Sequence, residues 1–321
     1  MPYTNRAAFS ALLLSLSISS LPAVAADPAP AQDAPAQQAP VERAPLLTRS
    51  QEDAIALERQ LPRQDLQQLQ AGDESFLALW KPANTEDPQG AVILIPGAGE
   101  SADGPDTIGP LRRKFPDAGW STLSLSLPDV QDEALMPREA DPAAQAGQTD
   151  AKPEAEKDAS APPEPAADAQ ASAEAANAAT EERAKAQAER LFARIDSAVA
   201  FAQQNKARSI VLLGHSSGAY WAARYLSERH PAAVQKFVMV AAREPVDTQP
   251  SLLDMIPTFK MKTADVVYKN LLQRAATDRL QASKRNKGPG FTQIGLIDIA
   301  GNSEAEQEQL FRRVRGWVEA Q

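Results

Sequence analysis

One short stretch of this chain has the residue types and the spacing for nucleophilic chemistry. Residues 209–226 read SIVLLGHSSGAYWAARYL: an apolar run ends in Gly214-His215-Ser216-Ser217-Gly218 and passes into a helical pattern. Glycines two residues before and after a serine leave room for a sharp strand-to-helix turn. Such a turn strains the serine backbone and lifts its hydroxyl above the strand end. A serine hydroxyl attacks well only when a base takes its proton, and the sequence holds two histidines. His215 sits beside Ser216 inside the turn, so its side chain leaves in another direction. His230 is 14 residues after Ser216. At about 1.5 Å per residue that is roughly 20 Å along a continuous helix, against a hydrogen-bond reach of about 3 Å. Followed by Pro231, His230 reads as the cap of a helix C-terminus.

The segments that must position this turn alternate strand with helix. SFLALWKP (75–82) predicts a strand, and AVILIPGAG (91–99) a continuous apolar strand running into a Gly-rich loop. DTIGPLRRKFPDAGW (106–120) reads as helical and closes at Gly119; STLSLSLP (121–128) alternates and stops at a proline. From 182 to 205, Ala188, Leu191, Phe192, Ile195, Val199 and Ala202 recur at helical spacing. ARSIVLLG (207–214) is a buried strand, 217–229 a helix, KFVMVAA (236–242) a strand and IPTFKMKTAD (256–265) a weaker one. A helix over 266–286, a strand in GFTQIGLIDIAG (290–301) and a closing helix over 304–320 complete the pattern. Repeated βα units predict an α/β fold with a mostly parallel, doubly wound sheet.

Three segments lie outside that pattern. Residues 1–25 read as a cleaved secretory signal: Arg6, then an apolar run from Ala7 to Ser20, then Ala23-Val24-Ala25. The run is shorter than the roughly 20 residues a membrane-spanning helix needs, and Pro22 follows it. The expectation is a soluble exported protein, periplasmic in a Gram-negative cell, and not an integral membrane protein. Residues 26–45 form a Pro/Ala-rich linker, and 46–321 a single domain interrupted by an insert over 129–182. The insert holds 14 acidic residues against Arg138, Lys152 and Lys157. Almost no large apolar residue occurs in it after Met136, so it is expected to be disordered. Its net charge is -11 against -9 for the whole chain, which leaves the rest at +2. That acidity argues against nucleic acid as a partner.

The blocks GDESFLALW, GAVILIPGAGESAD, IGPLRRKFPDAGWSTLSLSLP, LLGHSSGA and RRVRGWV carry a resemblance. Over about Ser50–Pro128 and Arg183–Val318, the chain resembles the α/β-hydrolase superfamily. More closely, it is similar to a family of exported bacterial α/β-hydrolase-like proteins known as a domain of unknown function. The resemblance implies a carboxylester-type serine hydrolase scaffold with Ser216 as nucleophile. It implies an oxyanion hole from the backbone N–H groups of Ala98 (or Gly99) and Ser217, in the loop Pro96-Gly97-Ala98-Gly99-Glu100 and the turn itself. The acid normally follows a later strand, which points to Asp265, with Glu244 as the weaker alternative and a helix-capping role for Asp265 as the competing one.

The superfamily order of serine, acid, then histidine puts the histidine in the loop Ile299-Ala300-Gly301-Asn302-Ser303-Glu304-Ala305-Glu306. That loop has none; Ser303 or Glu304 stands in its place. Glu304 or Asp265 would be a poor base, and Lys260 or Lys262 would need burial to act as one. Activity is therefore expected to be weak or absent, with a non-catalytic pseudohydrolase binding a small-molecule ester or an envelope ligand as the alternative. No cofactor is expected: P-loop and GxGxxG motifs are missing, and the absence of cysteine with only two histidines disfavours a metal site and excludes disulfides.

Overall fold

A computed structural model describes residues 47–129, 166–246, 248–271, 274–286 and 290–320, with side chains of its long helix from Ala178 onward. The expected signal, the linker and most of the acidic insert lie outside the described residues. Eight strands form one sheet: β1 (Leu66–Ala71), β2 (Glu74–Lys81), β3 (Gly90–Ile95), β4 (Trp120–Leu125), β5 (Ile210–His215), β6 (Val234–Val240), β7 (Lys262–Tyr268) and β8 (Phe291–Leu296). Their order is β1-β2-β4-β3-β5-β6-β7-β8. The pairs β1–β2 and β2–β4 are antiparallel, and every other pair is parallel. The mostly parallel sheet is the one the βα alternation predicts.

The centre of the sheet is apolar on both faces, as a parallel strand covered by helices must be. Val92, Ile93, Leu94 and Ile95 of β3 are all fully buried, and so are Val211, Leu212 and Leu213 of β5. One face packs against α3 (Ala166–Gln204) and α4 (Ser217–Arg229) through Phe192, Ile195, Tyr220 and Tyr225. The other packs against α2 (Ile108–Lys114) and α7 (Ser303–Glu319) through Ile108, Leu111, Leu310 and Val314. Helix α3 begins well before Glu181, inside the stretch read as a disordered insert. Its Ala-rich sequence between 166 and 182 contains neither Gly nor Pro, a composition of high helix propensity. Among the described residues, no helix is long and apolar enough to cross a membrane.

Two elements depart from the sequence reading. The first is α1 (Arg49–Gln60) with β1, a polar edge strand turned into β2 through Gly72 at φ 61°. Its sequence LQQLQA buries Leu69 and Ala71, with Leu66 partly buried against a separate cluster, a spacing that gives no alternating signal. The second is β7, which starts only at Lys262 and runs on through Val266-Val267-Tyr268, residues assigned above to a helix. Ile256–Thr258 is instead a 3-10 turn that follows the one-turn helix α5 (Leu252–Met255), and the helix α6 spans Arg274–Arg285. β-branched and aromatic residues favour a pleated surface over a helix. The shift matters for Asp265, which becomes a mid-strand residue.

Candidate functional site

Strand β5 ends at His215 and helix α4 starts at Ser217, so Ser216 alone makes the turn. It sits at φ 52° and ψ −123°, a conformation that costs a side-chain-bearing residue about 1–3 kcal/mol. Three hydrogen bonds hold it there. Ser216 N–H donates to Val240 O (2.9 Å), while Ser216 O accepts from Ala219 N–H (3.2 Å) and Arg243 N–H (3.1 Å). The flanking glycines are required sterically. A Cβ on Gly214 would stand 2.5 Å from Ala219 Cα, and one on Gly218 would stand 2.2 Å from Pro96 O. The end of β3 and the start of α4 therefore touch backbone to backbone. The neighbouring β6 loop is strained as well, with Ala241 at φ 48°.

The loop after β3 closes over this turn. A Cβ on Gly97 would lie 3.0 Å from Ser216 Cβ and 3.2 Å from Glu100 Cδ, so Glu100 and Ser216 flank the same small space. Arg49 Nη1 fixes the loop from α1 by donating to Gly99 O at 2.6 Å. Arg112 of α2, buried, fixes it from the other side through Asp103 (3.0 Å) and Asp65 (3.2 Å). Within the loop, Gly97 N–H donates to Glu100 Oε2 at 2.8 Å, and His215 Nδ1 lies 2.8 Å from the same oxygen. Burial pushes the Glu100 carboxyl up. The His215 bond and charge, the Gly97 N–H and the Arg243 charge outweigh that, so its pKa is lowered.

A carboxyl lowered in the folded state stabilises it above the unfolded pKa and loses that contribution as pH falls through the folded one. The Glu100 contribution is thus complete above about 4.5 and disappears below it. In thermal melts across pH 3–7, Glu100→Gln should be less stable than wild type near neutrality, and the difference should shrink towards pH 3.

The expected site residues separate into those that meet and those that do not. Ala98 and Ser217 come together, but not as two free donors: Ala98 N–H donates to Ser217 Oγ at 2.7 Å. The hydroxyl of Ser217 occupies the donor that an oxyanion would need. Asp265 is not brought to Ser216. It is fully buried in the middle of β7, in register with Met239 of β6 and through it with Gly214 of β5. Two strand spacings, about 10 Å, separate its strand from the serine's. Its oxygens bind Arg279 of α6 (3.1 and 3.2 Å) and Gln293 of β8 (3.2 Å). Burial pushes this carboxyl up, opposed by Arg279 and Gln293. It neither ends its strand nor caps a helix. Glu244 accepts from Leu252 N–H at 3.1 Å, bracing its own loop.

The base candidates fare no better. His230 ends α4 at φ 47°, its ring bonded to Leu226 O at 3.1 Å, the cap role its sequence position predicts. Ser303 and Glu304 are exposed on the first turn of α7. Lys260 and Lys262 are exposed too, and Lys262 begins β7 at the sheet edge opposite the turn. The loops after β7 and β8, where acid and histidine would stand, instead meet through Asn270 Nδ2 and Asp298 Oδ2 (2.7 Å). Among the described residues, no side chain hydrogen-bonds Ser216 Oγ.

Two residues of this site escaped the sequence reading. Glu100 carries the signal of a lone acidic residue closing a Gly-rich loop. Arg243, in the loop after β6, carries no sequence signal at all; only the fold places it against the turn.

The sheet order, the turn after β5 and the loop after β3 are those of the α/β-hydrolase fold. The chain belongs to the family described as "Protein of unknown function (DUF3530)", whose profile matches residues 7–320. Its fold is similar to that of an esterase from Pyrococcus furiosus, at 12% identity and TM-score 0.51 over 79% of this chain and 88% of that one. Dienelactone hydrolase from Anabaena variabilis (15%, TM-score 0.50) and Est1E from Butyrivibrio proteoclasticus (9%, TM-score 0.52) each align over 79% of this chain and 97% of their own. No curated protein sequence matches this member of the family. At these identities the likeness establishes the fold, and function rests on the site.

Proposed function

We propose that this protein is an exported, periplasmic pseudohydrolase: a carboxylester-hydrolase scaffold that binds a ligand beside its nucleophile turn without turning it over efficiently. The observation that carries the reading is that, among the described residues, no side chain hydrogen-bonds Ser216 Oγ. The hydroxyl of Ser217 on the Ala98 N–H and the enclosure of Asp265 in the core support it. The residues before 26 support the export part of this reading, since their charge, apolar run and Ala-x-Ala site fit a cleaved signal. Removing a triad member from a serine hydrolase leaves only about 10³–10⁴-fold acceleration over water, and this chain is built in that condition. The reading that it hydrolyses esters has one observation in favour, the complete and strained turn at Ser216.

Turnover of short-chain p-nitrophenyl esters tests the choice. Wild type and Ser216→Ala should hydrolyse them at rates within about threefold of each other. A Ser216-dependent rate about 100-fold or more above the variant's would establish a working hydrolase and refute the proposal.

A further inference from the structure

A cavity opens at the C-terminal ends of β6 and β7, beside the turn. Its volume is about 290 Å³. Ala241, Ala242, Val267 and Ala276 give it apolar walls; Arg243, Arg279 and Tyr268 give it polar ones. It adjoins the serine turn: Arg243, which lines it, donates its backbone N–H to Ser216 O at 3.1 Å.

The charges in this cavity are arranged unequally. The Arg243 side chain has no ion pair or hydrogen bond among the described residues. The carboxylate that feels its charge, Glu100, is already bonded to His215 and Gly97. Arg279 is only 4% exposed and uses Nε and Nη2 on Asp265. Its Nη1 has no partner among the described residues, and Arg279 is one of the residues that line the cavity. A guanidinium with unused N–H donors is suited to a carboxylate's two oxygens. The Tyr268 end has the opposite character. Burial, a hydrogen bond to Glu306, and the charges of Glu306, Asp298 and Asp106 push the Tyr268 hydroxyl pKa up. An anionic group is therefore favoured at the arginines and disfavoured at the tyrosine.

We propose that this cavity binds a small organic carboxylate, its anionic group on Arg243 and the free edge of Arg279, its apolar body between Ala241, Ala242 and Val267. The proposal rests on the pseudohydrolase reading and names the ligand class of that site. Apolar walls with a few placed polar groups are the usual make-up of a small-molecule site. An ester that carried such a carboxylate would lie with its acyl group towards Ser216.

The test is titration of hexanoate and benzoate, each beside its uncharged amide, into wild type, Ser216→Ala and Arg243→Gln, followed by calorimetry. Arg279 is not substituted, because its loss would strand Asp265. The carboxylates should bind wild type and Ser216→Ala equally, and the amides at least about tenfold more weakly. Arg243→Gln should lose about 10- to 100-fold in carboxylate affinity, the range for a hydrogen bond to a charged group. Arg243→Glu should abolish binding while its melting curve stays that of a folded protein. The proposal is overturned if neither carboxylate binds, if acid and amide bind alike, or if Arg243→Gln binds as wild type does. Ser216-dependent ester turnover with carboxylate binding intact overturns the pseudohydrolase reading alone; no turnover and no carboxylate binding overturns the ligand class alone.

Discussion

Asp265→Ala should unfold in urea with a loss of about 3–5 kcal/mol relative to wild type. Asp265 is fully buried and Arg279 nearly so, with the two side chains 3.0 Å apart. Removing the aspartate leaves a guanidinium in the core with no counter-charge, and that penalty is far larger than the pair's own net contribution. Replacing both partners by apolar residues of similar shape, as in Asp265→Leu with Arg279→Met, removes the stranded charge. The double variant should therefore recover most of the stability. A catalytic acid would behave differently: its loss would spare the fold and change only activity. An Asp265→Ala protein as stable as wild type would contradict this structural role.

Gly218→Ala should also be costly, at about 1–3 kcal/mol or more. The added Cβ would meet Pro96 O at 2.2 Å and Ile95 O at 2.5 Å. Both atoms are backbone at the end of the fully buried strand β3, so neither can swing aside as a side chain would. Relief requires the loop after β3 to move, and that loop carries Gly97, Ala98 and Glu100. Loss of stability should thus come with faster amide exchange at Gly97 and Ala98, whose N–H groups are bonded to Glu100 and Ser217. Gly316 is the internal control. It lies within α7 with open space around it, so Gly316→Ala should stabilise by about 0.5–1 kcal/mol. A neutral Gly218→Ala would mean that the turn and the β3 loop do not touch backbone to backbone.

The scaffold is legible in local sequence pattern. Gly214-x-Ser216-x-Gly218 between an apolar run and a helical run marks the turn, because its steric demand falls on residues adjacent in sequence. The α4 boundaries are legible for the same reason. What local pattern lacks is information held between distant segments. Val266-Val267-Tyr268 fit a helical window in spacing, and their β-branched and aromatic side chains together with pairing to β6 and β8 make them strand. That three-residue shift takes Asp265 from a strand end into the core. The Ala98 N–H is expected to face a substrate, yet a hydroxyl 119 residues away in the chain takes it. Arg243 is invisible as a site residue because nothing near it in sequence marks it, and Glu100 is marked only as the acidic residue closing a Gly-rich loop. The missing histidine is legible throughout, since composition alone limits the chain to His215 and His230.

On the proposed reading, Ser216 is presented as a nucleophile but not activated as one. Reaction with a fluorophosphonate tests this without knowledge of any substrate, since the probe needs only a nucleophilic serine. The measurement is the rate of adduct formation at the Ser216 peptide by mass spectrometry, beside an active serine esterase and beside Ser216→Ala. The account predicts no adduct on the Ser216 peptide over an interval that labels the esterase to completion. Stoichiometric labelling that disappears in Ser216→Ala would contradict it, and would require a base that reaches Ser216 Oγ.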